Sequence, residues 1–490
     1  MKKILTILVA VVVLMTGAVS GCKNTTEEVV ISPTVNNIEN IDSKVSFVDD
    51  EGKRIIVDKP FERIIVLYSA HVENLYYIGA GDKIIGAHNT SIYPPEAAFL
   101  PQYDYNGDPE TIIAANPDCV LLRPTIARRV PDLVEAIEKA GVPVVSLYPD
   151  TLDSFDSYII NLGLLTGTKE IAEEKLKEFH VKLNAIKELT SNIPEGERQS
   201  VFFESMETEL RTTTPTSMAG LAMAMAGGNN IASDAKAMSE GGTIAAFGDE
   251  RILEKANEID VYISQRGAMN AGGNIHSISI RPGFDTIKAV KDGRIFIINE
   301  KLISSPTLRY YKGVEEIARF LYPDLMDSLV NFENDSIATK RDLANIVVKG
   351  AHLQIYTTFS SKYYEEEHKG HVYGRLLDVP WYDEDFDYIE TAVMSGAISA
   401  DKIDGDDYFN PDEIVTKEML AKTVFILYDL KSKDIDKKDI ADLSQCENTN
   451  IVQILIDNEI MELNGNKFEP KKEMACKEIV QVFEKLRNMN

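Results

Sequence analysis

The chain has 490 residues, 78 acidic against 51 basic side chains and a formal net charge of −27. That acid excess would repel polyanions, which excludes nucleic acid and anionic lipid headgroups as partners. The length suits about three domains, and of the four cysteines three follow Cys22, an odd number that does not suit a disulfide framework.

Lys2 and Lys3 precede an uncharged apolar run from Ile4 to Val19 and the small residues Ser20 and Gly21, the charge, core and cleavage order of a secretory signal peptide over 1–21. Val19-Ser20-Gly21-Cys22 resembles the bacterial lipobox. That resemblance implies a lipidated Cys22 and an exported protein on the outer face of the cell membrane, at a Gram-positive-type cell surface, held by acyl chains and not by a spanning helix. An ordinary Cys beside a plain signal is the other reading. Residues 22–43 are polar and aperiodic, a flexible tether. Cys119, Cys446 and Cys476 form no C-x-x-C pair, and Cys119 sits in the apolar run Cys119-Val120-Leu121-Leu122, where a buried thiol is expected.

Val45–Val48 and Arg54–Val57 flank Asp49-Asp50-Glu51-Gly52, which predicts a hairpin. Apolar runs at Ile64–Leu67, Lys83–Ala87, Cys119–Leu122 and Val142–Leu147 then alternate with helical patterns near 72–79, 109–115 and 130–140. Alternation of that kind predicts βαβ units around a parallel sheet. A second series has strands at Ser200–Phe203, Val261–Ser264 and Arg294–Ile298. Between the two series, Ala172, Leu176, Phe179, Leu183 and Ile186 recur at helical spacing, so one long helix over about Thr168–Leu189 bridges them. The expected architecture is α/β, two Rossmann-like lobes (44–150 and 193–325) joined by a helical segment (151–192), with a mainly α region over 330–490.

Five pieces in order carry a resemblance to the Fe/B12 periplasmic-binding family. They are Arg63-Ile64-Ile65-Val66-Leu67 after the hairpin, Ile78-Gly79-Ala80-Gly81-Asp82-Lys83, Gly107-Asp108-Pro109-Glu110-Thr111, Val290-Lys291-Asp292-Gly293-Arg294 and Gly313-Val314-Glu315-Glu316-Ile317. The resemblance implies a substrate-binding lipoprotein of an ABC importer, with no intrinsic cofactor and no enzymatic activity. Its cargo would be a ferric chelate such as an iron-siderophore complex, haem or cobalamin. It further implies that Glu110 and Glu250, one carboxylate per lobe, dock on the membrane permease.

Loops at the carboxyl ends of strands line the crevice of open α/β sheets. In the first lobe they hold Tyr68, His71, Tyr93, Arg123, Arg128 and Arg129; in the second, Glu204, Arg211, Arg266, His276, Arg281 and Arg309. Arginine forks suit an anionic chelate, while Tyr and His suit a haem or corrin face. Direct metal ligation is not expected, since only seven His are present and His352, His368 and His371 fall in the C-terminal part. No G-x-S-x-G, P-loop, H-E-x-x-H or G-x-G-x-x-G pattern occurs.

The C-terminal region echoes itself. Phe409-Asn410-Pro411 leads to Val415-Thr416-Lys417, Phe468-Glu469-Pro470 leads to Lys477-Glu478-Ile479, and Ala338-Thr339-Lys340 starts a third copy. This resembles three degenerate S-layer homology repeats. In that family a Thr-Arg pair at the start of the second helix serves the cell-wall polymer, and here the pairs read Thr339-Lys340, Thr416-Lys417 and Cys476-Lys477. Lysine lacks the planar fork of arginine, so wall-polymer binding and a purely structural role are both open. The competing overall reading is a wall-associated adhesion protein with vestigial binding lobes.

Overall fold

The computed structural model describes residues 39–41, 44–149, 151–239, 242–326, 335–355, 374–428, 430–432 and 437–487. The expected signal, Cys22 and the residues up to 38 lie outside this set, as do His368 and His371.

The predicted hairpin is present. β2 (Lys44–Val48) pairs antiparallel with β3 (Arg54–Val57), and β1 (Glu39–Ile41) adds a third strand. Its turn is fixed by Asp49, whose carboxylate accepts Lys53 N at 2.8 Å, and by Gly52 at φ +80°, a backbone state that costs glycine little.

The first lobe is a five-stranded parallel sheet in the order β6 (Gln102–Tyr103), β5 (Ile84–His88), β4 (Ile64–Val66), β7 (Cys119–Leu122), β8 (Val144–Ser146). β4 and β7 are buried along their whole length, as strands covered on both faces must be. Alternate residues serve the two faces. Ile65, Val120 and Leu122 pack with Ile112 of α2 (Pro109–Ala114) and with Leu133 and Ile137 of α4 (Pro131–Lys139), which follows the short α3 (Pro124–Arg129). Ile64, Val66 and Leu121 pack with Val72 and Leu75 of α1 (Ser69–Tyr77) and Phe155 and Ile159 of α5 (Leu152–Thr166).

The bridging helix is α6, Lys169–Ser191, and all five residues of its predicted stripe are buried. The second lobe is a four-stranded parallel sheet in the order β10 (Asn229–Asn230), β9 (Ser200–Glu204), β11 (Val261–Arg266), β12 (Ile295–Asn299). It includes α7 (Asp249–Glu254) and closes with α8 (Glu300–Ile303) and α9 (Tyr310–Leu321). The fold is therefore mixed α/β, two parallel sheets linked by one long helix. Among the described residues no helix is long and apolar enough to cross a membrane.

The C-terminal region contributes α10 (Lys340–Gly350), α11 (Phe386–Met394), α12 (Lys417–Tyr428), α13 (Thr449–Asp457) and α14 (Cys476–Arg487). Its echoed segments close a ring: Ala338 N donates to Met474 O, Met474 N to Val415 O, and Val415 N to Ala338 O, at 2.8, 2.9 and 2.9 Å. This register corrects one alignment made from sequence. The position equivalent to Thr339-Lys340 and Thr416-Lys417 is Ala475-Cys476, one residue before Cys476-Lys477, because α10, α12 and α14 begin at Lys340, Lys417 and Cys476.

Candidate functional site

Each sheet has one place where chain order reverses, and the loops leaving it open a crevice. In the first lobe that place lies between β4 and β7, so Tyr68 and Ser69 after β4 face Arg123 after β7. In the second it lies between β9 and β11, which brings the 205–211 loop beside Arg266 at the end of β11.

Tyr68, Arg123 and Tyr148 form one group. The Arg123 guanidinium lies 4.6 Å from the Tyr68 ring centroid and 5.9 Å from that of Tyr148, within cation–π range. Arg123 Nε is buried with no hydrogen-bond partner among the protein's own described residues, so its desolvation is not compensated by them. Burial, reinforced by Tyr148, pushes the Tyr68 phenol far up, so it stays a neutral donor. From the second lobe, Lys301 on α8 donates to Ser69 Oγ at 3.0 Å across the crevice, and burial lowers its ammonium pKa. A small pocket beside this bond, lined by Ser69, Glu73, Thr90, Tyr93, Lys301 and Ser305, is about 10 Å³, room for one water at most.

Three residues expected at the cargo surface have buried internal partners. His71 is wholly buried, with Nδ1 2.7 Å from Tyr158 Oη and Nε2 3.1 Å from Leu122 O. Burial pulls its pKa down to about 3, so it is a neutral core histidine. Arg309 is 1 % exposed and bonds bidentately to Glu73, Nε to Oε1 at 2.8 Å and Nη2 to Oε2 at 3.0 Å. Its Nη1 reaches Asp387 Oδ1 at 3.0 Å. Tyr93 lies beneath that guanidinium, 3.3 Å from centroid to carbon, and its hydroxyl meets Tyr77 Oη at 3.2 Å. His71 and Arg309 are thus committed to internal partners, whereas Tyr93, although so engaged, also lines the small pocket beside Lys301.

Arg211 is half-buried and bonds Glu209 at 2.8 Å, and Arg266 is half-buried at its strand end. Glu204 and Arg281 pair with each other, and Glu204 also accepts from Tyr262 Oη at 2.6 Å and Ser264 Oγ at 2.8 Å; they brace the loop after β11. Arg128 is exposed and pairs with Glu51, Arg129 lies over the Tyr105 ring, and His276 is exposed. The loop rule passed over Tyr148 after β8 and Lys301 after β12, although both follow a strand as Tyr68 and Arg123 do.

Glu110 and Glu250 are exposed in the first turns of α2 and α7. Asp108 caps α2 by accepting Glu110 N at 3.0 Å, which leaves the Glu110 carboxylate pointing outward at the positive end of a helix. Among the described residues no three His, Cys, Asp or Glu side chains converge as a metal site. In the C-terminal region Thr339 caps α10 through Asp342, and Lys340 is buried between Glu413 and Asp401 over the Phe409 ring. Thr416 Oγ1 accepts Met419 N, and Lys417, buried over Phe468 and donating to Glu462 O at 2.6 Å, lies on the wall of a groove of about 690 Å³ that also carries Lys472 and Lys485, paired with Glu478 and Glu462.

Residues 64–302 match a family model described as "Periplasmic binding protein". An uncharacterised ABC transporter substrate-binding lipoprotein of Bacillus subtilis is 26% identical over 285 residues, 57% of this chain and 86% of that one. The vitamin B12-binding protein of Vibrio campbellii is 26% identical over 260 residues, 53% of this chain and 88% of that one. Among solved structures, the periplasmic heme-binding protein from Roseiflexus sp. RS-1 superposes with a TM-score of 0.47 at 21% identity, covering 54% of this chain and 99% of that one. The matched relatives are solute-binding proteins, and the family model ends at residue 302, before the C-terminal region.

Proposed function

We propose that the two lobes capture an anionic metal chelate or tetrapyrrole (an iron-siderophore complex, haem or cobalamin) and deliver it to an ABC permease from a lipid anchor on the outer membrane face. The observation that carries this reading is the Tyr68–Arg123–Tyr148 group at the switch point of the first lobe, with a buried guanidinium N–H that lacks a partner. A carboxylate, phosphate or catecholate oxygen would satisfy that donor, and two phenol rings would flank a planar ligand. Lys301 supplies a second cation from the opposite lobe once it leaves Ser69. The relatives named above are substrate-binding and B12-binding proteins, which supports the same reading. The Cys22 anchor and the permease contacts of Glu110 and Glu250 are part of it. Charge reversal of both glutamates (Glu110→Arg with Glu250→Arg) is expected to abolish uptake in cells while cargo affinity of the purified protein is unchanged. Loss of affinity would place those carboxylates in the cleft and overturn their docking role.

One observation favours a second reading. The pocket beside Lys301 is about 10 Å³, far below a drug-sized ligand site of roughly 300–1,000 Å³, so cargo at that point requires Lys301 and Ser69 to separate. A chain whose lobes never part would act at the wall instead, through the groove beside Lys417. The resemblance to S-layer homology repeats supports that role for Thr416 and Lys417. Thr339 and Lys340 are occupied by internal partners.

A further inference from the structure

The C-terminal region reaches both lobes at one buried point. Glu73 comes from α1 of the first lobe, Arg309 and Lys312 from the start of α9 in the second, and Asp387 from α11 in the C-terminal region. All four side chains are at most 5 % exposed. Arg309 holds Glu73 with two hydrogen bonds and Asp387 with one, and Lys312 Nζ donates to Asp387 Oδ2 at 2.6 Å. Two cations thus face two anions, and the set is neutral only with Asp387 present. Without it, Arg309 and Lys312 would share one carboxylate in a buried site, an arrangement low dielectric penalises strongly.

A second contact lies beside it. Trp381, the only tryptophan of the chain, packs edge-on against Tyr76 and Tyr77 of α1, both at 5.6 Å between centroids. Next to Glu73, Asn74 donates to Pro306 O at 2.9 Å and accepts Leu308 N at 3.0 Å, so α1 is bound to the second lobe through adjacent residues. On the far side of α9, Lys349 pairs with Glu315 at 3.3 Å and Ile355 N donates to Glu316 Oε1 at 3.2 Å. Arg309 therefore belongs at once to a buried bond between the lobes and to a buried bond that holds the C-terminal region to them.

We propose that the C-terminal region is a latch on the two lobes: Asp387 keeps Arg309 on Glu73, so the lobes part only when the C-terminal region shifts on α1 and α9. Because coupling between sites is reciprocal, a ligand that opens the lobes loosens the Trp381 seam, and a partner that grips the C-terminal region changes the ease of opening.

The test needs no cargo. In the full chain with Cys22→Ser, spin labels go on Asp132→Cys and Asn257→Cys, both exposed and on different lobes; the other cysteines, Cys119, Cys446 and Cys476, are buried. Asp387→Asn is compared with the unmodified latch by the distance between the labels and by acrylamide quenching of Trp381. The latch predicts that the open population and Trp381 accessibility rise together, by roughly fivefold or more. Should Asp387→Asn not fold, Glu73→Gln cuts the same hub from the first lobe and is expected to expose Trp381 as well. A rise in Trp381 quenching with the label distance unchanged, or no change in either for a folded variant, overturns the proposal.

Discussion

At the scale of single residues, polar side chains on apolar helix faces are the informative ones. His71, Glu73 and Asn74 lie among Val72 and Leu75 on α1, and every one of the three is buried with a partner far along the chain. Sequence places His71 one turn after a strand, where a ligand contact is reasonable. What it does not display is Tyr158, 87 residues on, or Asp387, 78 residues beyond Arg309. The signal available was the periodicity itself, since a charged residue at an apolar position of a helix requires a buried partner. A pH consequence follows for His71, whose ordinary imidazole pKa near 6.5 is pulled to about 3 by burial. The unfolded chain takes up the proton first, so stability is lost as pH falls from about 6.5 towards 3, by up to about 1.4 kcal/mol per pH unit. Acid unfolding curves of His71→Gln are expected to be shallower by about one proton over that window; an unchanged slope would mean that His71 is protonated in the fold.

At the scale of elements, the reading from sequence and the structure agree most where periodicity is longest. The α6 stripe, the β4 and β7 runs and the hairpin follow from patterns of burial that need no knowledge of neighbours. The C-terminal copies were visible as echoes, but their register was not, because the ring of backbone bonds at Ala338, Val415 and Met474 sets it and side-chain identity does not. The seam between α9 and the C-terminal region was not legible either. There Glu316 is buried; one oxygen accepts Ile355 N and the other, Oε2, has no partner. Burial pushes this carboxyl well above the usual range, so the stability it supports is present at acid pH and is lost as pH rises from the ordinary carboxylate range through its folded pKa. Glu316→Gln is therefore expected to raise the melting temperature at pH 8 relative to the parent and to have a smaller effect at pH 4. Equal effects at both pH values would show that Glu316 is already charged in the fold.

At the scale of the whole molecule, the expected boundary between 325 and 330 marks a change of pattern but not a structural break. The C-terminal region supplies Asp387 to the buried site between the lobes, and its ring begins within 17 residues of Leu321, at Ala338. The two-lobed fold was legible because βαβ alternation restricts a chain to few topologies. The cargo surface was legible only in part, because loops after strands are equivalent in sequence and only packing decides which side chain turns inward. Trp381 packs against α1 and not in the crevice, so intrinsic fluorescence reports the C-terminal seam; cargo binding is better read by calorimetry. The central claim is that cargo binds between Arg123 and the opposite lobe, and calorimetric titration of the chain lacking residues 1–22 with haem, cobalamin and ferric catecholate and hydroxamate chelates tests it most directly. The account predicts one-to-one, submicromolar binding of one of these, weakened about tenfold or more by Arg123→Met, as expected for loss of a charge-assisted hydrogen bond. Binding that survives Arg123→Met unchanged, or no binding by a folded protein, would contradict it.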